Sequence, residues 1–177
     1  MTETDWHEYT KKVQKQLRDR DTVAAGGTVI EDGTFEGILA ANGELVYSNV
    51  GDSMMPLIRQ HRDLVVIVPA VGRLKKYDVP LYKRDSGQYV LHRILKVRAN
   101  DYVICGDNRY AREYGITDAN IIGVLKAVVR DGKELSVESR KYKFYVHLWC
   151  DFFHIRALLL MVKALARTVW RRFTYGG

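Results

Sequence analysis

A chain of 177 residues, 47% apolar and 28% charged, has the make-up of one ordinary folded domain plus an appendage, which excludes a disordered chain. Its net charge of +7 is unevenly placed: residues 140–177 hold Arg140, Lys141, Lys143, Arg156, Lys163, Arg167, Arg171 and Arg172 against Asp151 alone, so the tail carries the whole excess. Such asymmetry points the tail at an anionic partner, a membrane surface or nucleic acid. Cys105 and Cys150 are too few for a disulfide framework and form no C-x-x-C pair, so they read as buried thiols.

Residues 4–18 read as a short amphipathic helix, capped by Asp5, with Trp6, Tyr9, Val13 and Leu17 at helical spacing. The stretch lacks an apolar core, so neither a signal peptide nor a membrane span is expected there. It is too short for a helix-turn-helix reader, which needs two packed helices, and no nucleic-acid partner is expected. Gly26-Gly27 and Asp32-Gly33 mark turns. Phe35, Ile38 and Leu39 form one or two helical turns, stopped by Asn42-Gly43. Glu44 to Val50 then alternates into a strand that delivers Gly51-Asp52-Ser53-Met54-Met55-Pro56.

In that stretch Met55 precedes proline and is pushed out of helix. Gly51 leaves room for a substrate backbone. A serine at a strand end, with backbone N–H groups around it and little bulk in front, suits a nucleophile. The same tetrapeptide is also a good turn, with Asp52 and Ser53 bonding their own backbone.

Residues 57–130 read as a meander of short strands. Leu64–Val68, Val79–Tyr82, Tyr89–Lys96, Tyr102–Cys105 and Ile121–Val129 are β-branched or aromatic runs, punctuated by Gly72, Asp85-Ser86-Gly87, Asn100-Asp101 and Asp131-Gly132. The expected fold is mainly β: a coiled antiparallel sheet or partial barrel over 44–138, preceded by a helix and lead-in (1–43) and followed by a long basic amphipathic helix (139–177). In that tail Leu148, Phe152, Ile155, Leu159, Val162, Ala166, Val169 and Phe173 follow a helical period, with Arg156, Lys163, Arg167 and Arg171 as a separate stripe. The charge-free run Ala157 to Val162 is far short of a membrane span. The tail is expected either in the plane of an anionic membrane surface or packed on the β domain.

In their order and intervals, the G-x-S-M-x-P block at Gly51–Pro56, the His92-Arg93-Ile94 block and the Gly106-Asp107-Asn108 block resemble the signal peptidase I superfamily of serine peptidases, which includes the self-cleaving repressors. The likeness runs from about Val46 to about Leu135. It implies a mostly β catalytic domain and an endopeptidase that binds its protein or peptide substrate as an extended strand. By the resemblance Ser53 is the nucleophile and His92 the base, in a place where bacterial members carry lysine and the endoplasmic-reticulum type carries histidine. A serine hydroxyl needs such a base, and histidine titrates near neutrality. Outside that context, His92 reads as a half-buried structural histidine beside Arg93.

Two carboxylates compete to orient His92. Asp118 stands five residues before Gly123, the family's spacing, and is the expected orienter; Asp107 is expected to support the site. Counted forward from Gly106-Asp107-Asn108, however, Arg112-Glu113-Tyr114 occupies the expected place. The Ser53 N–H is the expected oxyanion donor. Met54, Met55, Pro56 and Leu57 read as groove walls or core, and Arg59, His61 and Arg62 as a solvated loop. His147, Cys150 and His154 could face one way but lack a fourth ligand, and no cofactor or metal is expected. Family members are anchored by an N-terminal span that is not evident here, so a cytoplasmic or peripheral membrane location is expected. Two other readings stand beside the peptidase: a non-catalytic or self-cleaving regulatory module, for whose DNA-binding domain residues 1–45 are too short, and a cytoplasmic processing peptidase for a ribosomally made peptide.

Overall fold

The computed structural model describes residues 34–153, 155–158 and 160–162. The helix expected over 4–18, the turns at 21–33 and the tail beyond residue 162 lie outside the described residues.

The first element is α1 (Phe35–Asn42). Thr34 caps it by accepting from Gly37 N, and Gly43 ends it at φ 71, a left-handed position that glycine adopts without penalty. Nine strands follow: β1 (Leu45–Ser48), β2 (Leu64–Val68), β3 (Pro80–Lys83), β4 (Tyr89–Leu91), β5 (Arg93–Val97), β6 (Tyr102–Cys105), β7 (Glu113–Ile116), β8 (Ile121–Arg130) and β9 (Lys133–Ser136). Helix α2 (Arg140–Cys150) follows β9, capped by Ser139.

All pairings are antiparallel. One six-stranded sheet runs β1-β2-β8-β3-β4 with β9 on β8, and a three-stranded sheet runs β5-β6-β7. The molecule is thus mainly β, with a curled, half-barrel sheet. The expected meander holds for β5-β6-β7 only; in the larger sheet β8 returns to lie between β2 and β3. The run Tyr89–Lys96, read as one strand, is two. It breaks at His92, where the chain passes from the larger sheet to the smaller.

The continuous apolar run of β2 is explained by cover on both faces: Val65 and Ile67 belong to the main core, Val66 to a small cluster with Ala127 and Val129. Burying each such side chain contributes about 1.5–3 kcal/mol. Gly123, on β8, faces the end of β2. A Cβ there would stand 2.6 Å from Ile67 Cγ2 and 2.7 Å from the Val68 carbonyl oxygen, so no larger residue fits.

The tail is not one long helix within the described residues. It stops at Cys150, turns, and resumes over Ile155–Val162 at 70° to α2. No single helix among the described residues is long and apolar enough to cross a membrane; the bent pair passes that test together, by length and composition. Tyr142, Val146 and Cys150 bury one face of α2 on the β body, while Phe144 and Leu148 are exposed.

Candidate functional site

Strand β1 ends at Ser48, and the chain turns through Gly51 at φ 108 into the serine loop. Met54, fully buried, with Leu57 and Ile58 behind it, roots the loop in the core. Met55 and Pro56 face outward, and Met55 and Val50 leave exposed apolar surface on either side of Ser53. The other wall is the loop after β6. Asn108 N donates to the Ser53 carbonyl oxygen at 2.7 Å, and Asn108 Nδ2 to the Asp52 carbonyl oxygen at 3.1 Å. The Arg109 guanidinium meets the Asp52 carboxylate at 2.5 Å. Neither the N–H nor the hydroxyl of Ser53 has a hydrogen-bond partner among the described residues, which leaves both available to an incoming carbonyl group.

Gly106 fixes how closely the two halves approach. A Cβ at this position would sit 2.7 Å from the Ser53 carbonyl oxygen and 3.1 Å from His92 Cδ2. Ser53 and the imidazole therefore flank one glycine. His92 is 8% exposed. Its Nδ1 donates to Glu113 Oε1 at 2.8 Å, with the Tyr82 hydroxyl 3.4 Å away. Arg84 holds the other oxygen of Glu113 at 2.6 Å. With Nδ1 engaged by a carboxylate, the neutral ring carries its lone pair on Nε2. That nitrogen adjoins Cδ2, on the edge of the ring that faces Gly106.

Burial lowers the pKa of His92 below its ordinary 6.5, against the opposing pull of Glu113. For Glu113, burial acts to raise the pKa, but the Arg84 hydrogen bond and the His92 ring together bring it below the usual carboxylate value. The pair at neutral pH is thus a carboxylate and a neutral imidazole.

The carboxylate on His92 is Glu113, and neither of the aspartates singled out from the sequence. Asp118 accepts from Arg73 at 2.7 Å and from the Tyr102 hydroxyl, at the start of a single 3-10 turn (Asp118–Asn120) before β8. It is bonded away from the imidazole. Asp107 is fully buried and accepts from Nε and Nη2 of the buried Arg93, at 2.8 and 2.7 Å. Tyr145 donates to the same carboxylate at 2.9 Å, and the Trp149 indole to the Asp107 carbonyl oxygen at 2.8 Å. Asp107 thus ties α2 to the loop that carries Gly106 and Asn108, and it does not touch His92 in any described hydrogen bond. Glu113 carries one signal in the sequence, its distance from Gly106-Asp107-Asn108. It was obscured because the spacing to Gly123 favours Asp118.

One other reading changes in part. Arg59 is only partly solvated: with Arg130 it neutralises the buried Asp63, at 2.8 and 2.7 Å, while His61 and Arg62 are exposed. His147 bonds Asp151 at 3.0 Å beside the buried Cys150, while His154 lies outside the described residues.

Comparison with family models, with curated proteins and with solved structures finds no match for this chain.

Proposed function

We propose that this protein is a serine endopeptidase of the signal-peptidase type, with Ser53 as nucleophile, His92 as general base and Glu113 as the carboxylate that orients it. The contact of His92 Nδ1 with Glu113 at 2.8 Å carries the reading. It leaves Nε2 on the ring edge that Gly106 shares with Ser53.

In the proposed reaction, Nε2 takes the Ser53 proton as the hydroxyl attacks the scissile carbonyl carbon. Glu113 steadies the imidazolium so formed. The Ser53 N–H donates to the developing oxyanion. The proton then passes from Nε2 to the leaving amine, and water hydrolyses the acyl-enzyme in a second cycle. β1 and β4 end the strand path of the larger sheet and run toward Ser53 and His92 respectively. Either edge, unpaired among the described residues, offers main-chain hydrogen bonds to an extended protein or peptide segment. The exposed face of the tail (Phe144, Leu148, Phe152, Ile155), together with its basic residues, suits an anionic membrane surface on which such a substrate is presented.

The test is labelling by a fluorophosphonate probe, which reacts with an activated serine. Wild type is expected to label, and Ser53→Ala and His92→Ala to lose the label. Labelling that survives in Ser53→Ala would remove the assigned nucleophile.

A further inference from the structure

A cleft of about 390 Å³ opens between the three-stranded sheet and the end of α2. Lys76, Lys96, Arg98 and Arg112 line it without a single carboxylate, together with Tyr77, Tyr114 and Phe153. Two of the cations have neighbours that offset them: Arg98 is paired with Asp101, and Lys76 lies over the Tyr77 ring within the field of Asp151. Lys96 and Arg112 have no ion-pair partner among the described residues. The larger cleft beside α1 differs in this respect, since its Lys83 and Arg84 are neutralised by Glu36 and Glu113.

A second observation lies next to Arg112. Both Arg112 and Arg156 stack on the Phe153 ring, at 4.5 and 4.8 Å. Arg156 is 5% exposed, and its Nε and Nη1 are buried with no hydrogen-bond partner among the described residues. Two guanidiniums share one ring here, and buried N–H groups without acceptors are costly. The region carries an excess of positive charge that no ion pair among the described residues offsets.

We infer that this cleft is a binding site for a phosphate group carried on an apolar or planar body. The planar fork of Arg112 and the ammonium of Lys96 match a phosphoryl oxyanion. The faces of Tyr114 and Phe153, with Leu95 and Val103, offer apolar surface to whatever bears it. A phospholipid headgroup and a soluble phosphate ester present the same chemistry. The site is separate from the proposed catalytic one, although Glu113, between Arg112 and Tyr114 in the chain, turns the other way to His92. The inference does not depend on peptidase activity.

Calorimetric titration of the full chain with phenyl phosphate and inorganic phosphate, beside co-sedimentation with vesicles of phosphatidic acid in phosphatidylcholine, tests it. Binding of phenyl phosphate, of the phosphatidic acid vesicles, or of both is expected. It should weaken roughly tenfold or more in Arg112→Gln and in Lys96→Gln, as loss of a charged hydrogen bond predicts. It should be unchanged in Lys133→Gln, a cation on the β8–β9 hairpin outside the cleft. Vesicle binding that weakens in Arg112→Gln and Lys96→Gln, without binding of phenyl phosphate, identifies a lipid headgroup; binding of phenyl phosphate identifies a soluble ester; vesicle binding that both cleft variants retain belongs to the tail and counts against the cleft. No binding to any probe, or equal weakening in Lys133→Gln, overturns the inference. Circular dichroism of each variant checks that the exposed substitutions leave the fold intact.

Discussion

At the scale of single residues, the choice between Glu113 and Asp118 makes opposite predictions for two conservative substitutions. Glu113→Gln keeps the volume of the side chain but removes the charge that fixes the tautomer of His92, so turnover of a peptide substrate should fall by roughly a hundredfold or more. Asp118→Asn disturbs only the contacts with Arg73 and Tyr102 and should leave turnover within about threefold, because partly exposed ion pairs contribute little. Equal losses in both variants would refute the assignment. The pH profile gives a separate check. As the proposed base, His92 works only when neutral, and burial lowers its pKa from the ordinary 6.5. Activity should therefore hold as pH falls to 6.5 and fail on an acid limb below that value. Glu113 opposes the lowering, so Glu113→Gln should move the limb to still lower pH while reducing the rate. Burial of the neutral ring has a matching effect on stability. Its contribution is fully present above the unfolded-state pKa and is lost as pH drops from there through the lower folded value.

Among the elements, the site rests on the junction of β4 and β5 and on the loop from Gly106 to Arg112. That junction sets His92 facing the serine loop and sends Arg93, the next residue, into the core to meet Asp107. Removing one partner of so buried a pair leaves the other charge uncompensated. Asp107→Ala should cost about 3–5 kcal/mol in urea unfolding, and it should also free Tyr145 from the carboxylate. Gly106→Ala is expected to cost activity more than stability. Its new methyl group would press on the Ser53 carbonyl oxygen and the His92 ring, and a displacement of about 1 Å between nucleophile and base is enough to cost a hundredfold. The residual activity of Gly106→Ala, set against its unfolding midpoint, measures this. Several elements were legible in the sequence. β2 and β6 fall on the runs read for them, and α1 ends at the expected Asn42-Gly43 stop. β7 and β9 were not, because Glu113-Tyr-Gly-Ile and Lys133-Glu-Leu-Ser lack a run of β-branched residues and are strands through pairing with β6 and β8.

For the whole molecule, the decisive property is curl. β1 and β4 stand at opposite ends of the strand path, yet the serine that follows one and the histidine that follows the other flank the same glycine. A flat sheet would hold them apart by the width of several strands, at nearly 5 Å each. The tail has a matching duality: Tyr142, Tyr145 and Trp149 bind the β body, while Phe144, Leu148, Phe152 and Ile155 face outward. Flotation of the full chain with anionic vesicles should therefore occur at low salt and weaken in Phe144→Ser/Leu148→Ser, with unfolding unchanged because both side chains are exposed. No flotation at low salt would leave that face without a membrane role.

What the amino-acid order determined alone was local: alternation of apolar residues, the stops at glycine and asparagine, the serine at a strand end, and a histidine in a β run that could serve it. Which carboxylate reaches that histidine was a long-range matter. Glu113 and Asp118 are near in sequence, and spacing could not separate them, because a strand turns successive side chains to opposite faces and a short 3-10 turn redirects the chain between them. The folding of β7 against β6 sends Glu113 toward Arg84 and His92, and the turn before β8 sends Asp118 toward Arg73 and Tyr102. Only the tertiary structure, through the curl of the sheet and the pairing of its edges, decided those partners.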